Sequence, residues 1–239
     1  MKTLKEKLLE ADMLLIDVDG VIGNLIHRAG INATWNGLKN SLKSYRNFKL
    51  FTQMLSGDIS LVRRKLRGDS ELELFDYFIN NAFKNCPIDW LKTKPKNSLF
   101  KGVEEFMEKI SNESLTKIMV SRNISCLIEP YKQYLRFEEI CSNQEIIKKE
   151  EGNDVLKGIY LNIRSSKKEA TSKILSNYPC KKRFIVIGQY DEDIGMIEAV
   201  NEKKDKEYLV SVGFNPNKKF RDLAEINVKN WKQLEDIIK

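Results

Sequence analysis

The sequence has 239 residues, of which 41% are hydrophobic and 31% are charged, as in ordinary globular proteins of one large or two unequal domains. No apolar run approaches the ~20 residues that a membrane-spanning helix needs, and the first residues lack the apolar core of a secretory signal. The net charge of +7 combines 41 Lys and Arg with 34 Asp and Glu, without a basic stripe interleaved with aromatic residues. We therefore expect a cytoplasmic protein with neither nucleic acid nor membrane as a partner, and its oligomeric state stays open.

Cysteine and histidine usage argues against two common kinds of site. His27 is the only histidine, so a Ser/His/Asp triad is possible only if His27 itself serves in it. The four cysteines are far apart and form no Cys-x-x-Cys pair, which favours reduced, mostly packed thiols over zinc ligands or disulfides. They are Cys86, Cys126, Cys141 and Cys180.

After a short amphipathic N-terminal helix, the chain predicts a strand that ends in charge. Residues 13–16 are all apolar, and they run straight into Asp17, Asp19 and Gly20, as a buried strand followed by a turn does. Ligands of parallel α/β sheets bind at the carboxyl ends of strands. Two like charges placed there are costly unless a cation or a shared proton relieves the repulsion. The alternative is an ordinary strand followed by an Asp-Gly turn.

Residues 24–98 predict a helical insertion. Ser70 and Glu73 form a capping-box pattern within it. Because the segment lies between two α/β segments, we predict a separate cap domain over residues 24–98, with residues 1–23 and 99–239 forming the core. The alternative is that these helices belong to the core. Apolar residues recur at helical spacing at Leu38, Leu42 and Tyr45, and again at Leu72, Phe75, Ile79 and Phe83.

From residue 99 onward, strand and helix patterns alternate. Strands are predicted at residues 116–120, 183–187, 208–212 and 226–228, and helices at residues 102–113, 130–137, 193–200 and 231–238, the second starting at Pro130. Two charged stretches, residues 148–151 and 202–206, are expected to be solvated loops or helix faces. The alternation predicts an α/β fold with a doubly wound, mainly parallel, Rossmann-like sheet.

Polar residues follow three of the predicted strands. Asp17 and Asp19 follow the first, Ser121 follows the second and residues 188–193 follow the third, while Lys167 begins an intervening helical pattern. If the strands are neighbours, these groups meet at one edge of the sheet. Such a set suits phosphoryl transfer, because a carboxylate can form an aspartyl-phosphate. Magnesium, a lysine and a hydroxyl can then offset the charge of the phosphoryl group.

The order of these motifs resembles that of the haloacid dehalogenase-like (HAD) superfamily of aspartate-nucleophile phosphatases. The four matching stretches are Ile-Asp-Val-Asp-Gly-Val at 16–21, Ile-Met-Val-Ser at 118–121, Lys167 in Lys-Lys-Glu-Ala, and Val-Ile-Gly-Gln-Tyr-Asp-Glu-Asp-Ile-Gly-Met at 186–196. The resemblance covers about residues 13–230 and depends mainly on the order and spacing of the motifs. The helical insertion and the stretch Val-Gly-Phe-Asn-Pro at 212–216 are similar to the phosphoserine-phosphatase-like branch.

The resemblance implies a catalytic role for each motif residue. Asp17 would be the nucleophile, and Asp19 would protonate the leaving oxygen and then activate water. Ser121 would hydrogen-bond the phosphoryl group. Lys167, rather than its neighbour Lys168, would neutralise Asp17 and the phosphate.

The resemblance also implies where the substrate binds. Gly20, Arg122 and Asn123 would contact it, Arg122 by holding a second anionic group, and the cap would select a small cytoplasmic phosphomonoester. His27 and Arg28 lie where the cap begins and are expected at the surface rather than on the substrate.

The implied cofactor is Mg²⁺, and one of its ligand positions departs from the family pattern. The ligands would be Asp17, Asp19 through its carbonyl, Gln189 and Asp193. The family usually has Asp where this chain has Gln189, and an amide oxygen coordinates a hard cation without contributing charge. Metal affinity should therefore fall, unless Asp191 or Glu192 supplies the missing ligand through a shifted turn.

Two other functions stay open. A non-catalytic phosphate-binding or regulatory protein would retain Asp17 while tolerating Gln189, and a phosphomutase would return the phosphoryl group to a sugar instead of to water. The remaining conspicuous residues are expected to be structural: Arg63 and Arg64 on a solvated helix face, and Trp35, Trp90 and Trp231 in packing.

Overall fold

The four residues of strand β1 (Met13–Ile16) form the buried centre of a sheet in the computed structural model, which describes residues 2–69, 71–163 and 166–239. All four side chains are buried because β1 is paired on both edges and covered on both faces. Leu14 and Ile16 face one hydrophobic cluster, and Met13 and Leu15 face another, as the alternation of side chains along a strand requires. The doubly wound sheet predicted from the sequence is confirmed.

Six further strands in the described residues join β1: β2 (Thr116–Ile124), β3 (Glu139–Glu150), β4 (Asn153–Tyr160), β5 (Arg183–Gly188), β6 (Tyr208–Phe214) and β7 (Ile226–Val228). Their order across the sheet is β4-β3-β2-β1-β5-β6-β7. All neighbouring strands are parallel except β3 and β4. Because β2, β1 and β5 are adjacent and parallel, the residues at their carboxyl ends meet at one edge of the sheet.

The helices are, in chain order, α1 (Leu4–Leu9), α2 (Leu25–Asn40), α3 (Tyr45–Leu66), α4 (Glu71–Tyr77), α5 (Ile88–Leu91), α6 (Val103–Ile110), α7 (Ser125–Leu135), α8 (Lys168–Asn177), α9 (Ile194–Asn201), α10 (Lys218–Leu223) and α11 (Trp231–Ile238). One face of the sheet is covered by α1, α6, α7 and α11, and the other by α8, α9 and α10. Within the described residues, no helix is long and apolar enough to cross a membrane.

Helices α2, α3, α4 and α5 pack around a third hydrophobic cluster, to which strands β2 and β4 also contribute. Met54 of α3, with Phe78 and Phe83 after α4, is buried in it, together with Ile124 of β2 and Leu156 of β4. A π-helical turn, Phe78–Ala82, extends α4. The capping box predicted at Ser70 lies outside the described residues.

The predicted start of α7 is wrong. The helix begins at Ser125 and carries Pro130 in its interior, although proline removes one helical hydrogen bond. The earlier start is held by Glu145 of β3, whose carboxylate accepts hydrogen bonds from the Ser125 hydroxyl at 2.8 Å and the Cys126 backbone N–H at 3.3 Å. A carboxylate at the N-terminus of a helix also interacts favourably with the positive end of the helix dipole.

The antiparallel pair β3–β4 was not predicted at all. Residues 148–151, expected to form a loop or helix face, complete β3 and enter a turn in which Gly152 has a φ of +80°. Their run of charges hides the alternation that identifies a strand. The stretch is nonetheless solvated, and Glu150 pairs with Lys157 on β4 at 2.6 Å.

The expectations for the cysteine and tryptophan side chains have different outcomes. All four cysteines are free, and Cys86 is buried while Cys180 is exposed. Packing is confirmed for Trp231 and, in part, for Trp90. It is wrong for Trp35, which is exposed on α2 with the Lys39 ammonium 5.2 Å from its ring centroid.

Trp231 ties the last helix to the loop that follows β1. Its indole is fully buried, and its Nε1–H donates to the carbonyl of Val21 at 3.0 Å. Its ring lies 5.1 Å from the centroids of both Phe106 and Phe214. Gly102, with a φ of +94°, approaches so closely that a Cβ there would lie 2.9 Å from that of Trp231.

We predict that Trp231→Ala lowers the free energy of unfolding by about 3–5 kcal/mol, because it leaves a cavity and removes the hydrogen bond to Val21. Trp35→Ala is the matched control and should cost under about 0.5 kcal/mol, since exposed positions contribute little. Urea unfolding of both variants measures the difference. Equal losses would contradict the assignment of Trp231 as a core anchor.

Candidate active site

Asp17 is the first residue beyond β1 and lies at the carboxyl edge of the sheet. Its backbone N–H donates to the carbonyl of Ile187 in β5 at 2.9 Å. This bond continues the pairing of β1 with β5 by one residue and fixes where the carboxylate emerges. Asp17 is buried, with 7% of its surface exposed.

Lys167 joins Asp17 to a second carboxylate. Its ammonium forms an ion pair with Asp17 and lies 2.6 Å from Oδ1 of Asp193. Lys167 immediately precedes α8, and its backbone N–H donates to the carbonyl of Glu192 at 3.1 Å. Lys167 and Asp193 are almost completely buried. Three charged groups, from β1, α8 and the turn after β5, therefore share one site.

Burial and neighbouring charges act in opposite directions on the pKa values of Asp17 and Lys167. Burial, followed by repulsion from Asp193, raises the pKa of Asp17 to about 7, although the charge of Lys167 pulls in the other direction. Burial by itself would lower the pKa of Lys167, but attraction to Asp17 and Asp193 outweighs it and the pKa rises. The ammonium is thus retained, and the charged form of Asp17 depends on nearby positive charge.

Asp19 connects the sheet edge to the helical insertion. Its Oδ1 accepts hydrogen bonds from the backbone N–H groups of Leu25 at 2.5 Å and Ile26 at 3.3 Å, the first residues of α2. The turn between them depends on Gly20, whose φ is +82° and whose N–H donates to the carbonyl of Gly23 at 2.8 Å. The carboxylate is therefore both held in place and placed at a helix N-terminus.

Ser121 and Asn123 lie near the end of β2, where the register with β3 shifts. The Ser121 hydroxyl accepts a hydrogen bond from the backbone N–H of Asn123 at 3.2 Å. The Asn123 side-chain amide nitrogen is buried and has no hydrogen-bond partner among the described residues. Both side chains line a crevice together with Asp17 and Asp19. Buried donors of this kind suit an anionic oxygen.

Arg122 lines the same crevice but is already paired. Its Nη2 donates to Oε1 of Glu192 at 2.5 Å. Burial, followed by repulsion from Asp193, raises the pKa of Glu192 while Arg122 opposes the change. The sequence did not identify Glu192 as the partner of Arg122, nor Ile26, Phe75 and Tyr190 as crevice residues. The crevice holds about 30 Å³, the space of roughly one water molecule.

The Gln189 side chain fits the role of a metal ligand by its chemistry. Its Nε2 donates to the carbonyl of Asn215 at 3.2 Å, which orients the amide. Its Oε1 is buried without a hydrogen-bond partner in the described residues and lies beside Gly20, where a Cβ would approach it to 2.3 Å. A buried amide oxygen with no donor is suited to a hard cation.

The acidic residues between Gln189 and Asp193 do not replace the missing carboxylate. Asp191 is exposed and accepts hydrogen bonds from Asn217 at 2.7 Å and Lys219 at 2.5 Å, and Glu192 is held by Arg122. Across the described parts of the chain, no group of three or more His, Cys, Asp or Glu residues is arranged to hold a metal. The shifted turn considered for Asp191 and Glu192 is therefore not seen.

A second, larger cavity adjoins the crevice and shares Asp19, Ile26, Phe75 and Tyr190 with it. It holds about 380 Å³ and is lined mainly by apolar side chains of α2, α3 and α4. Its polar lining includes His27, Asp58 and Lys65, all from the insertion. Asp58 is held by the Thr34 hydroxyl at 2.6 Å.

Comparisons with known proteins find similarity at the level of structure. No protein-family model and no curated protein matches the chain. A phosphoserine phosphatase bearing an analogue of its phospho-aspartyl intermediate superposes with a TM-score of 0.66 at 15% identity, covering 96% of this chain and 99% of that one. A substrate-bound phosphoserine phosphatase gives 0.66 at 16% identity, with 96% and 99% covered.

A HAD family hydrolase from Salmonella enterica subsp. enterica serovar Typhi gives a TM-score of 0.67 at 14% identity, covering 97% of this chain and 72% of that one. At sequence identities this low, the superpositions establish similarity of fold alone. The α/β architecture is that of the phosphoserine phosphatases and HAD hydrolases, as the resemblance of the motifs indicated.

We predict that Lys167→Met lowers the free energy of unfolding by about 3–5 kcal/mol in metal-free buffer, because it leaves Asp17 and Asp193 buried together without a cation. Lys168→Met is the matched control. Lys168 is exposed and pairs with Glu202 at 2.6 Å, so its loss should cost under about 1 kcal/mol. Urea unfolding that ranks the two variants equally would contradict the assignment of Lys167.

Proposed function

We propose that the protein is a Mg²⁺-dependent phosphomonoester hydrolase that forms an aspartyl-phosphate on Asp17. The observation that carries this proposal is the buried cluster of Asp17, Lys167 and Asp193, which adjoins a crevice lined by Asp19 and Ser121. Similarity of fold to phosphoserine phosphatases supports it. The cytoplasmic location expected from the sequence belongs to the same proposal.

In the first step, a carboxylate oxygen of Asp17 attacks phosphorus as the ester P–O bond breaks. Asp19 gives its proton to the leaving oxygen, so the alcohol departs neutral. In the second step, Asp19 takes a proton from water, which attacks phosphorus and releases phosphate and the Asp17 carboxylate. Lys167 balances the charge of Asp17, and the Ser121 hydroxyl and Asn123 amide donate to the phosphoryl oxygens.

The metal would be held by oxygen atoms of Asp17, Asp19, Gln189 and Asp193. When bound, Mg²⁺ supplies positive charge against the carboxylates and the phosphoryl group. Because Gln189 is neutral, this chain should bind the cation more weakly than a chain with an aspartate at that position. Repulsion between Asp17 and Asp193 is consistent with a cation at this place.

The second cavity suggests the class of substrate. We assign it to the leaving group, with residues 24–98 as the cap domain that closes over it. Ile26 and Phe75 line both the crevice and the larger cavity, which is mostly apolar, so the preferred alcohol should be largely apolar with a polar edge near Lys65. The crevice is narrow, at about 30 Å³, and in our proposal the cap moves, or the pair of Arg122 and Glu192 opens, when a phosphoryl group enters.

A second function, binding of a phosphorylated ligand without turnover, is favoured by one observation. Gln189 places a neutral amide where the family pattern has an acidic metal ligand, so the site carries one negative charge less. Retention of Asp17, Asp19, Ser121 and Lys167 in one site favours the enzyme. Turnover assays separate the two, and product analysis with a sugar phosphate separates hydrolysis from a phosphomutase.

We predict that the wild type releases phosphate from phosphomonoesters only when Mg²⁺ is present, and that Asp17→Asn lowers kcat by at least about 10³-fold because the nucleophile is lost. The panel should pair phosphoserine with octyl phosphate, and octyl phosphate should be the better substrate. Asp191→Asn is the control and should keep wild-type activity, since Asp191 is exposed. Turnover by Asp17→Asn close to that of wild type would exclude Asp17 as the nucleophile.

We predict that Gln189→Asp binds Mg²⁺ about tenfold more tightly than wild type, because it adds a charged oxygen ligand. Isothermal titration calorimetry measures the affinity without substrate. Gln133→Asp, at an exposed position of α7, adds the same charge elsewhere and should leave the affinity unchanged. If both variants bind the cation as wild type does, Gln189 is not a ligand position.

A further inference from the structure

Exposed hydrophobic residues of this protein are concentrated on two helices of the insertion. Of the sixteen large hydrophobic residues that are exposed in the described part of the chain, ten lie between residues 31 and 66. Single exposed hydrophobic residues are common, but monomers rarely expose contiguous apolar patches larger than a few hundred Å². The concentration on α2 and α3 therefore requires an explanation.

On α3, five of the six exposed hydrophobic residues form one stripe, and Tyr45 lies to one side of it at the start of the helix. The five are Phe48, Leu55, Ile59, Val62 and Leu66. At about 100° per residue they fall within roughly 60° of one another around the helix, and 18 residues at a rise of 1.5 Å make a stripe about 27 Å long. Val62 is 60% exposed and Leu66 is 83% exposed.

On α2 the exposed residues Ile31, Trp35 and Leu38 form a shorter stripe, which Leu42 continues into the turn before α3. Trp35 is 56% exposed and Leu42 is 97% exposed. At helical spacing the three residues on α2 again fall within about 60° of one another.

The two stripes face the same side. Gly37 packs on Phe51 and Met54, and Gly30 lies next to Asp58, so α2 and α3 run antiparallel in close contact. On each helix the exposed stripe lies about 100° around from these contacts, in the same rotational sense. For antiparallel neighbours this places both stripes on one face, which we call the α2–α3 face and define by the stripe residues above.

The segment that carries the α2–α3 face has an excess of positive charge. Residues 25–67 contain nine Lys and Arg but one acidic residue, Asp58, whereas the remaining 196 residues contain 32 Lys and Arg and 33 Asp and Glu. Two of the nine are paired, Arg46 with Glu150 and Arg64 with Asp69. Lys49 and Arg63 border the stripe on one flank of α3 at helical spacing.

We propose that the α2–α3 face docks on the surface of an anionic membrane. A bulky apolar stripe bordered by lysine and arginine is the pattern by which helices lie in a membrane interface, where the apolar side chains enter the acyl boundary and the cations contact acidic headgroups. Trp35 with Lys39 beside it has the amphipathic character found at that depth. The proposal replaces the expectation from the sequence that no membrane is a partner.

Charge disfavours a second copy of this chain as the occupant. A two-fold dimer through the α2–α3 face would bring two identical, strongly positive surfaces together. Ile31 and Val62 belong both to the face and to the lining of the larger cavity, so a docked protein would hold that cavity next to the membrane. Docking does not depend on the proposed hydrolase activity and is tested without it.

The test is sedimentation of the protein with phosphatidylcholine vesicles that contain about 30% phosphatidylserine, an anionic lipid. Vesicles of phosphatidylcholine alone are the comparison. We expect binding to the anionic vesicles only, reduced by salt. Trp35 should report it by a shift of fluorescence to shorter wavelength. Trp35→Phe should abolish the shift, since Trp231 is buried and Trp90 is partly buried on α5, outside the α2–α3 face.

Two double variants separate the apolar and the charged contributions. Leu55→Ser with Leu66→Ser should weaken binding at least tenfold and leave its salt dependence unchanged, whereas Lys49→Gln with Arg63→Gln should weaken it and flatten the salt dependence. Leu223→Ser, at a residue 55% exposed on α10, is the matched control and should bind as wild type. Urea unfolding verifies that each variant is folded.

Three results would overturn the proposal. They are absence of binding to anionic vesicles at low salt, equal binding to neutral vesicles, and unchanged binding by the variant with Leu55→Ser and Leu66→Ser. A dimer in analytical ultracentrifugation that this variant dissociates, without any vesicle binding, would assign the face to self-association instead.

Discussion

The arrangement of this protein depends on one buried ammonium group. Parallel pairing of β1 with β5 brings the Asp17 and Asp193 carboxylates to the same edge of the sheet, where burial and repulsion from Asp193 destabilise the charged form of Asp17 and raise its pKa. Lys167 lies between the two carboxylates, and its positive charge stabilises them in the folded state. Phosphoryl transfer needs such a compact charge cluster, since the attacking carboxylate and the phosphate are both negative. Stability and the proposed chemistry therefore rest on the same three side chains.

Sequence reasoning located this cluster because its members follow strands or begin helices of a parallel sheet, and such positions converge by topology alone. It could not identify contacts that depend on side-chain direction. Asp19 was assigned a proton-transfer role, but its hydrogen bonds to the start of α2 were not foreseen. Arg122 was assigned to substrate, yet it pairs with Glu192. Both contacts depend on the direction of a side chain, which the spacing of residues along the chain does not determine.

The fold was predicted where hydrophobic patterns are regular and missed where charge interrupts them. The apolar run of β1 identified the centre of the sheet, whereas the charged end of β3 concealed the antiparallel pair with β4. Trp35 illustrates a different limit. Trp35 was expected in packing, but helical spacing does not tell whether the side of α2 that carries it is buried or exposed. Counting charges over residues 25–67 alone would have signalled an unusual surface from the sequence.

The central claim is that Asp17 carries the phosphoryl group during turnover. The most direct test is to mix Asp19→Asn with nitrophenyl phosphate and Mg²⁺, quench the reaction in acid and analyse the peptides by mass spectrometry. The nitrophenolate leaves without being protonated, so the first step proceeds in this variant while release by water is slowed. Our account predicts one added phosphoryl group, labile to hydroxylamine, on the peptide that contains Asp17, and none when Asp17→Asn is also introduced. A phosphoryl group on another residue, or phosphate release by the wild type while Asp17 is never modified in Asp19→Asn, would contradict it.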